Sequence, residues 1–173
     1  AKCIPSTEIM GLEPGEDPIL IDCGRIRSEV RPAVPTRESG AACLTYIETA
    51  VRAALDGNLD GIATAPINKT TLNLAGIDGP GHTEILGRLT NSDNFAMMLY
   101  SPRMAVSLVT CHQSLASVSA SLDTEDIVRV VGLTRDTLRT IRHREPLIAI
   151  LGLNPHAGED GIFGNEEMDI ISP

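Results

Sequence analysis

Apolar residues recur at steps of three or four from Leu44 through Ile47 and Val51 to Ala54 and Leu55, and the pattern stops at Gly57. That period predicts an amphipathic helix, and the glycine behind it is a natural terminator. A second long helix is predicted behind Asp123, through Ile127, Val130, Val131, Leu138 and Ile141. Asp123 is the expected N-cap, and Glu125 and Asp126 fill the first turn, where carboxylates meet the positive end of the helix dipole. Two shorter helices are expected, one over residues 68–75 ending at Gly76, the other capped by Thr83 and running to Leu89. Continuous apolar runs bounded by breakers predict strands at 19–23, 60–65 and 147–153. Residues 95–100 and 105–111, joined by Ser101-Pro102-Arg103, read as antiparallel neighbours.

The segments between these elements read as connections. Pro5, Pro14, Gly15 and Pro18 break any period over residues 1–18, the loop 78–82 is forced to turn, and residues 31–40 form a Pro-rich connector. Strands alternating with helices predict a single layered α/β region over residues 1–173. Residues 165–167 open a last helix or turn that nothing afterwards closes. The chain therefore reads as a fragment of a longer protein, against the alternative of a short domain with a frayed tail.

Composition narrows the partners. The chain has 173 residues, 42% hydrophobic, with two Tyr, two Phe and no Trp, so its core is aliphatic and base stacking has few residues to use. A net charge of −9 disfavours DNA and RNA, whose binding rests on phosphate neutralisation by Lys and Arg. No apolar run reaches membrane-spanning length, and no secretory h-region opens the chain. Cys3, Cys23, Cys43 and Cys111 show no CxxC spacing and sit among apolar residues, which predicts buried free thiols and a cytoplasmic location.

Three of the four histidines, His82, His112 and His156, fall in short loops at the predicted ends of apolar strands. Ligands of open α/β sheets bind beyond the carboxyl ends of the strands, so these imidazoles are placed for a metal or a polar substrate. None lies in a compact ligand signature, and solvated or hydrogen-bonded loop histidines are the competing reading. His143, between Arg142 and Arg144, is explained as a cation near a helix C-terminus and stays outside the site. Lys69, at a strand-to-helix junction after Pro66-Ile67-Asn68, either offers its ammonium to an anion beside the helix start or is a solvated lysine. Gly158, Gly161 and Gly164 do not spell the dinucleotide fingerprint, and no Walker A sequence occurs.

The segments Ala65-Pro66-Ile67-Asn68-Lys69, Gly81-His82-Thr83-Glu84, Val109-Thr110-Cys111-His112 and Gly152-Leu153-Asn154-Pro155-His156-Ala157-Gly158-Glu159 resemble the 4-hydroxythreonine-4-phosphate dehydrogenases of vitamin B6 biosynthesis. The resemblance extends to relatives that oxidise four-carbon sugar-acid phosphates, and it covers roughly residues 40–173 in order. It implies an α/β/α protein of isocitrate/isopropylmalate-dehydrogenase type with a mixed, mostly parallel sheet. It further implies that the chain is part of a longer two-domain dehydrogenase acting as a homodimer.

By the same resemblance His82 and Thr83 contact substrate, and His112 and His156 are two of three metal-binding histidines. The family's third, in a Tyr-His-Asp-Gln-Gly motif, is not in this sequence. Lys69 is our own candidate for offsetting the substrate's negative charge. The implied chemistry is oxidation of a secondary alcohol of a small phosphorylated hydroxy acid by NAD or NADP, aided by zinc, magnesium or cobalt, then decarboxylation. The alternatives are a dehydrogenase of a non-phosphorylated cis-diol and a non-catalytic truncated module that holds a metal or anion.

Overall fold

The computed structural model describes residues 2–9, 17–26, 31–77 and 81–173. Two compact units divide the chain, residues 1–93 and 94–173. The described residues form a mixed α/β structure in which each unit carries one two-stranded sheet.

In the first unit, β1 (Lys2–Pro5) and β2 (Ile19–Asp22) pair in parallel, Lys2 opposite Ile19 and Pro5 opposite Asp22. The expected loop over residues 1–18 is therefore corrected at its start, where a four-residue strand is too short to show a period of its own. Pro14 and Gly15 lie outside the described residues, as does most of the loop 78–82.

The long helix α1 (Arg37–Leu55) begins inside the segment expected to be a connector. A capping box sets that start: the Thr36 hydroxyl accepts from the Ser39 N–H at 3.1 Å, and the Ser39 hydroxyl faces the Thr36 N–H at 3.2 Å. Gly40 is buried within the helix, and a Cβ there would strike the Thr71 carbonyl oxygen, so the glycine marks a close helix crossing and not a break. The helix crossing it is α2 (Lys69–Leu74), capped by the Asn68 side chain accepting from the Thr71 N–H at 3.0 Å. Gly76, at φ +77°, turns the chain after α2. The third helix, α3 (His82–Leu89), has Gly81 at its N-cap, so the expected Thr83 cap is corrected: Thr83 lies one residue inside the helix. Ile47, Val51, Leu72, Ile77 and Ile85 form the core where α1 meets α2 and α3.

In the second unit, β3 (Met97–Tyr100) and β4 (Ala105–Leu108) pair antiparallel, as the short link between them requires. Ser101 closes the turn, its N–H and hydroxyl both 2.9 Å from the Met104 carbonyl. After β4 come α4 (Leu115–Ser121), which the apolar pattern did not reveal, and α5 (Thr124–Arg142), capped by Asp123 accepting from the Glu125 N–H at 2.6 Å. The α5 face carrying Ile127, Val130, Thr134 and Leu138 is buried, and the Thr134 hydroxyl sits 2.7 Å from that of Ser107 in β4.

Two further expectations are corrected. Residues 60–65 and 147–153 belong to no ladder, although they carry strand-like sequence. Leu147 is fully exposed at 101% and Leu151 is 82% exposed. An apolar run announces only that a side needs covering, and pairing depends on partners the run does not encode. The four cysteines are free, yet Cys3 and Cys111 are exposed, which corrects the expected burial of both.

Candidate functional site

Lys69 and the pair His82 and Thr83 stand at the first residues of α2 and α3, and both helices pack on α1. Lys69 is exposed, whereas His82 and Thr83 are half-buried. None of the three has a hydrogen-bond or ion-pair partner among the described residues. At α3 the Gly81 N-cap brings no side-chain acceptor, so His82 and Thr83 stand beside first-turn N–H donors that favour an anion, whereas at α2 the Asn68 side chain already takes the Thr71 N–H. In the first unit, helix starts position a cation, an imidazole and a hydroxyl with free valences.

In the second unit, His112 follows β4 by a short bend and His156 lies in the 3₁₀ turn Pro155–Gly158. Both are exposed, and both hold left-handed backbone angles, φ +57° at His112 and +53° at His156. The His156 ring is tilted against Phe163 with centroids 6.3 Å apart.

Hydrogen bonds from two residues of α4 reach the segment after His112 on one side and the segment before His156 on the other. Gln113 Nε2 donates to the Ser121 hydroxyl at 2.6 Å, fixing the residue beside His112 to α4. From the same helix the Ser119 hydroxyl donates to Glu166. Asn154 Nδ2 then donates to Glu166 Oε2 at 2.7 Å and to Glu167 Oε2 at 2.9 Å. Glu167 Oε1 accepts the backbone N–H groups of Leu153 and Asn154 at 2.7 and 2.6 Å. Thr124 at the start of α5 adds a bond to the Ile170 carbonyl at 2.7 Å, anchoring the π-helical turn Glu167–Ile171.

The electrostatics follow from that network. The Asn154 N–H, with the Asn154 side-chain amide and the Leu153 N–H, holds the Glu167 carboxyl below the usual glutamate range. The Ser119 hydroxyl does the same for Glu166, helped by Asn154. Among the described residues the Ser119 hydroxyl, the Asn154 side-chain amide and the Leu153 and Asn154 N–H groups find their acceptors in these two carboxylates, next to the turn bearing His156. Sequence reading did not single out Asn154, Glu166 or Glu167. The paired glutamates spaced behind Asn154-Pro155-His156 are the signal available for them.

Among the described residues, no three His, Cys, Asp or Glu side chains gather to hold a metal. His112 and His156 fit a divalent cation by donor chemistry, since a neutral imidazole is a favoured ligand and both are exposed. As a pair they fall short of the three protein ligands usual at catalytic zinc.

Comparison with known proteins follows the same segments. The profile of the family described as "Pyridoxal phosphate biosynthetic protein PdxA" matches residues 7–173. The chain is 47% identical over 140 residues to the 4-hydroxythreonine-4-phosphate dehydrogenase of Desulforapulum autotrophicum, covering 80% of this chain and 41% of that one. It is 37% identical over 161 residues to the D-threonate 4-phosphate dehydrogenase of Salmonella typhimurium, covering 93% of this chain and 46% of that one. A crystal structure of 4-hydroxythreonine-4-phosphate dehydrogenase from Klebsiella pneumoniae superposes with a TM-score of 0.81 at 38% identity, covering 90% of this chain and 48% of that one. The chain thus spans less than half the length of these relatives.

Proposed function

We propose a function from one premise: the chain belongs to the family of pyridoxal phosphate biosynthetic proteins described as PdxA. The complete protein is an oxidoreductase that oxidises the secondary alcohol of a small hydroxy acid phosphorylated at its fourth carbon. The observation that carries this reading is the naming of its relatives, whose 4-hydroxythreonine and D-threonate substrates share a 4-phosphate. In this reading the chain is part of a longer two-domain α/β/α dehydrogenase of isocitrate-dehydrogenase type, cytoplasmic and homodimeric. Its partner is a small metabolite, without nucleic acid or membrane.

Within that reading Lys69 offsets the substrate's negative charge, and His82 and Thr83 orient its polar groups. Their free valences support the assignment, since a ligand meets no internal bond that must first break. The substrate's carbinol carbon loses a hydride to NAD or NADP and its hydroxyl loses a proton, leaving a ketone beside the acid-bearing carbon. The resulting β-keto acid then loses carbon dioxide. A divalent cation, held in part by His112 and His156, supplies Lewis acidity toward the substrate's oxygens when bound. The hydrogen bonds of Gln113 with Ser121, and of Ser119 and Asn154 with Glu166, support grouping those two imidazoles, because α4 is tied to a residue beside each of their loops.

The test is a substrate panel on the full-length protein: 4-phosphooxy-threonine, D-threonate 4-phosphate and a non-phosphorylated cis-diol, each with NAD or NADP, with and without chelator. Reduced nicotinamide is expected with a phosphorylated acid only, and chelator is expected to abolish it. His112→Ala is expected to lower turnover at least about a hundredfold together with bound metal, since removing a ligand removes the cation's contribution to the barrier. Turnover of the cis-diol alone would overturn the substrate class. Normal metal content and rate in His112→Ala would overturn the metal role.

A further inference from the structure

Residues 1–93 hold a cleft of about 380 Å³ whose lining includes none of Lys69, His82 or Thr83. One wall is a face of α1, where Thr45, Glu48, Thr49 and Arg52 recur at helical steps of three and four. The other wall is the chain leaving β2. There Asp22 accepts the Gly24 N–H at 2.7 Å and Gly24 takes φ +62°, so the backbone turns sharply just before Arg25.

The hydrogen-bonding capacity of the cleft is uneven. The Thr45 hydroxyl donates to the Ala41 carbonyl at 3.1 Å and the Thr49 hydroxyl to the Thr45 carbonyl at 2.8 Å, so each has spent its proton inside the helix. Cys23, at 3.7 Å, donates to Thr49. The remaining donors of strength are the Arg25 and Arg52 guanidiniums, each a planar fork of five N–H groups. Both are exposed, and among the described residues neither has a hydrogen-bond or ion-pair partner. Glu48 likewise has none among those residues, so the side chains of the cleft leave one net positive charge in a chain of net charge −9.

We propose that this cleft is a binding site for a small phosphate monoester that also carries a hydroxyl or ammonium group. Two guanidinium forks line the one cleft, and planar arginine forks suit phosphoryl oxygens better than a lysine point charge does. Glu48 accepts a hydrogen bond from the ligand's hydroxyl or ammonium and repels any second anionic group, which selects against polyphosphates. The volume admits a metabolite and not a folded partner.

The test uses the 173-residue chain, with inorganic phosphate and O-phosphoethanolamine as probes, followed by calorimetry and phosphorus NMR. Both probes are expected to bind saturably, and Arg25→Gln and Arg52→Gln each to weaken both by about tenfold or more, the scale of a lost charge-assisted hydrogen bond. Glu48→Gln is expected to tighten inorganic phosphate while removing the advantage of O-phosphoethanolamine. Arg103→Gln, in the β3–β4 turn and outside the cleft lining, is expected to change neither. Circular dichroism checks folding, and Arg25 lies outside every helix and strand, so Arg25→Gln carries the test if Arg52→Gln unfolds. Absence of saturable phosphate binding overturns the proposal. So does binding that survives the double arginine variant or disappears in Arg103→Gln.

Discussion

His156 sits in a run of backbone that L-residues enter only under constraint. From His156 to Gly161 every residue has positive φ, at 53°, 53°, 84°, 45°, 53° and 89° in turn. Four of the six are not glycine, and each left-handed non-glycine residue costs on the order of 1–2 kcal/mol. The network around Glu167 offsets that cost by engaging the two N–H groups just ahead of the turn. Ala157→Gly is therefore expected to stabilise the protein by roughly 0.5–1 kcal/mol, read as a higher denaturant midpoint, because Ala157 is exposed and loses no packing. Glu167→Gln is expected to lower the melting temperature, since a side-chain amide replaces one acceptor facing the Asn154 amide. The pH dependence has a definite sign. A carboxyl whose folded pKa is depressed stabilises the fold fully above its unfolded value, about 4.3. The contribution of Glu166 and Glu167 is then lost as pH falls through their lower folded pKa values. Acid unfolding of Glu167→Gln is expected to be less steep than that of the parent, and an identical profile would refute the role. At this scale the sequence displays His82, His112 and His156 openly because their neighbours form distinctive strings. It hides Glu167, whose partners are backbone N–H groups 13 and 14 residues away.

Among elements, the crossing of α1 over α2 is set by one missing side chain. Gly40→Ala would push a methyl group against the Thr71 carbonyl and to 2.9 Å from the Ala75 Cβ. It is expected to destabilise the first unit by about 1–3 kcal/mol, the usual cost of overpacking, despite alanine's better helix propensity. Chemical denaturation measures this, and a stabilised variant would refute the close crossing. The same residue shows why the sequence conceals the start of α1. Pro35 and Gly40 look like punctuation, and only the Thr36–Ser39 capping pair reveals that the helix has already begun. The hydrophobic period of α1 and α5 was legible because it reports burial on one side of a single element. Residues 60–65 and 147–153 carry strand-like sequence and form no ladder, because a ladder is a property of two segments and the second is not written in the first.

For the molecule as a whole, the apolar segment over 147–153 leaves Leu147 and Leu151 in solvent while the net charge stays at −9. Exposed apolar backbone without a ladder is a template for association, which the charge opposes at low ionic strength. The 173-residue chain is expected to bind a hydrophobic dye, and replacing Leu147 and Leu151 by Lys to reduce that signal several-fold without loss of helicity. Undiminished fluorescence would place the apolar surface elsewhere. The carboxylate clamp on Leu153 and Asn154 has one more consequence, at the end of that same segment. Amide hydrogens outside helices and sheets ordinarily trade with deuterium quickly, yet these two point into a buried acceptor. They are expected to retain their protons as long as core positions do, and to surrender them together once acid neutralises the oxygen that holds both.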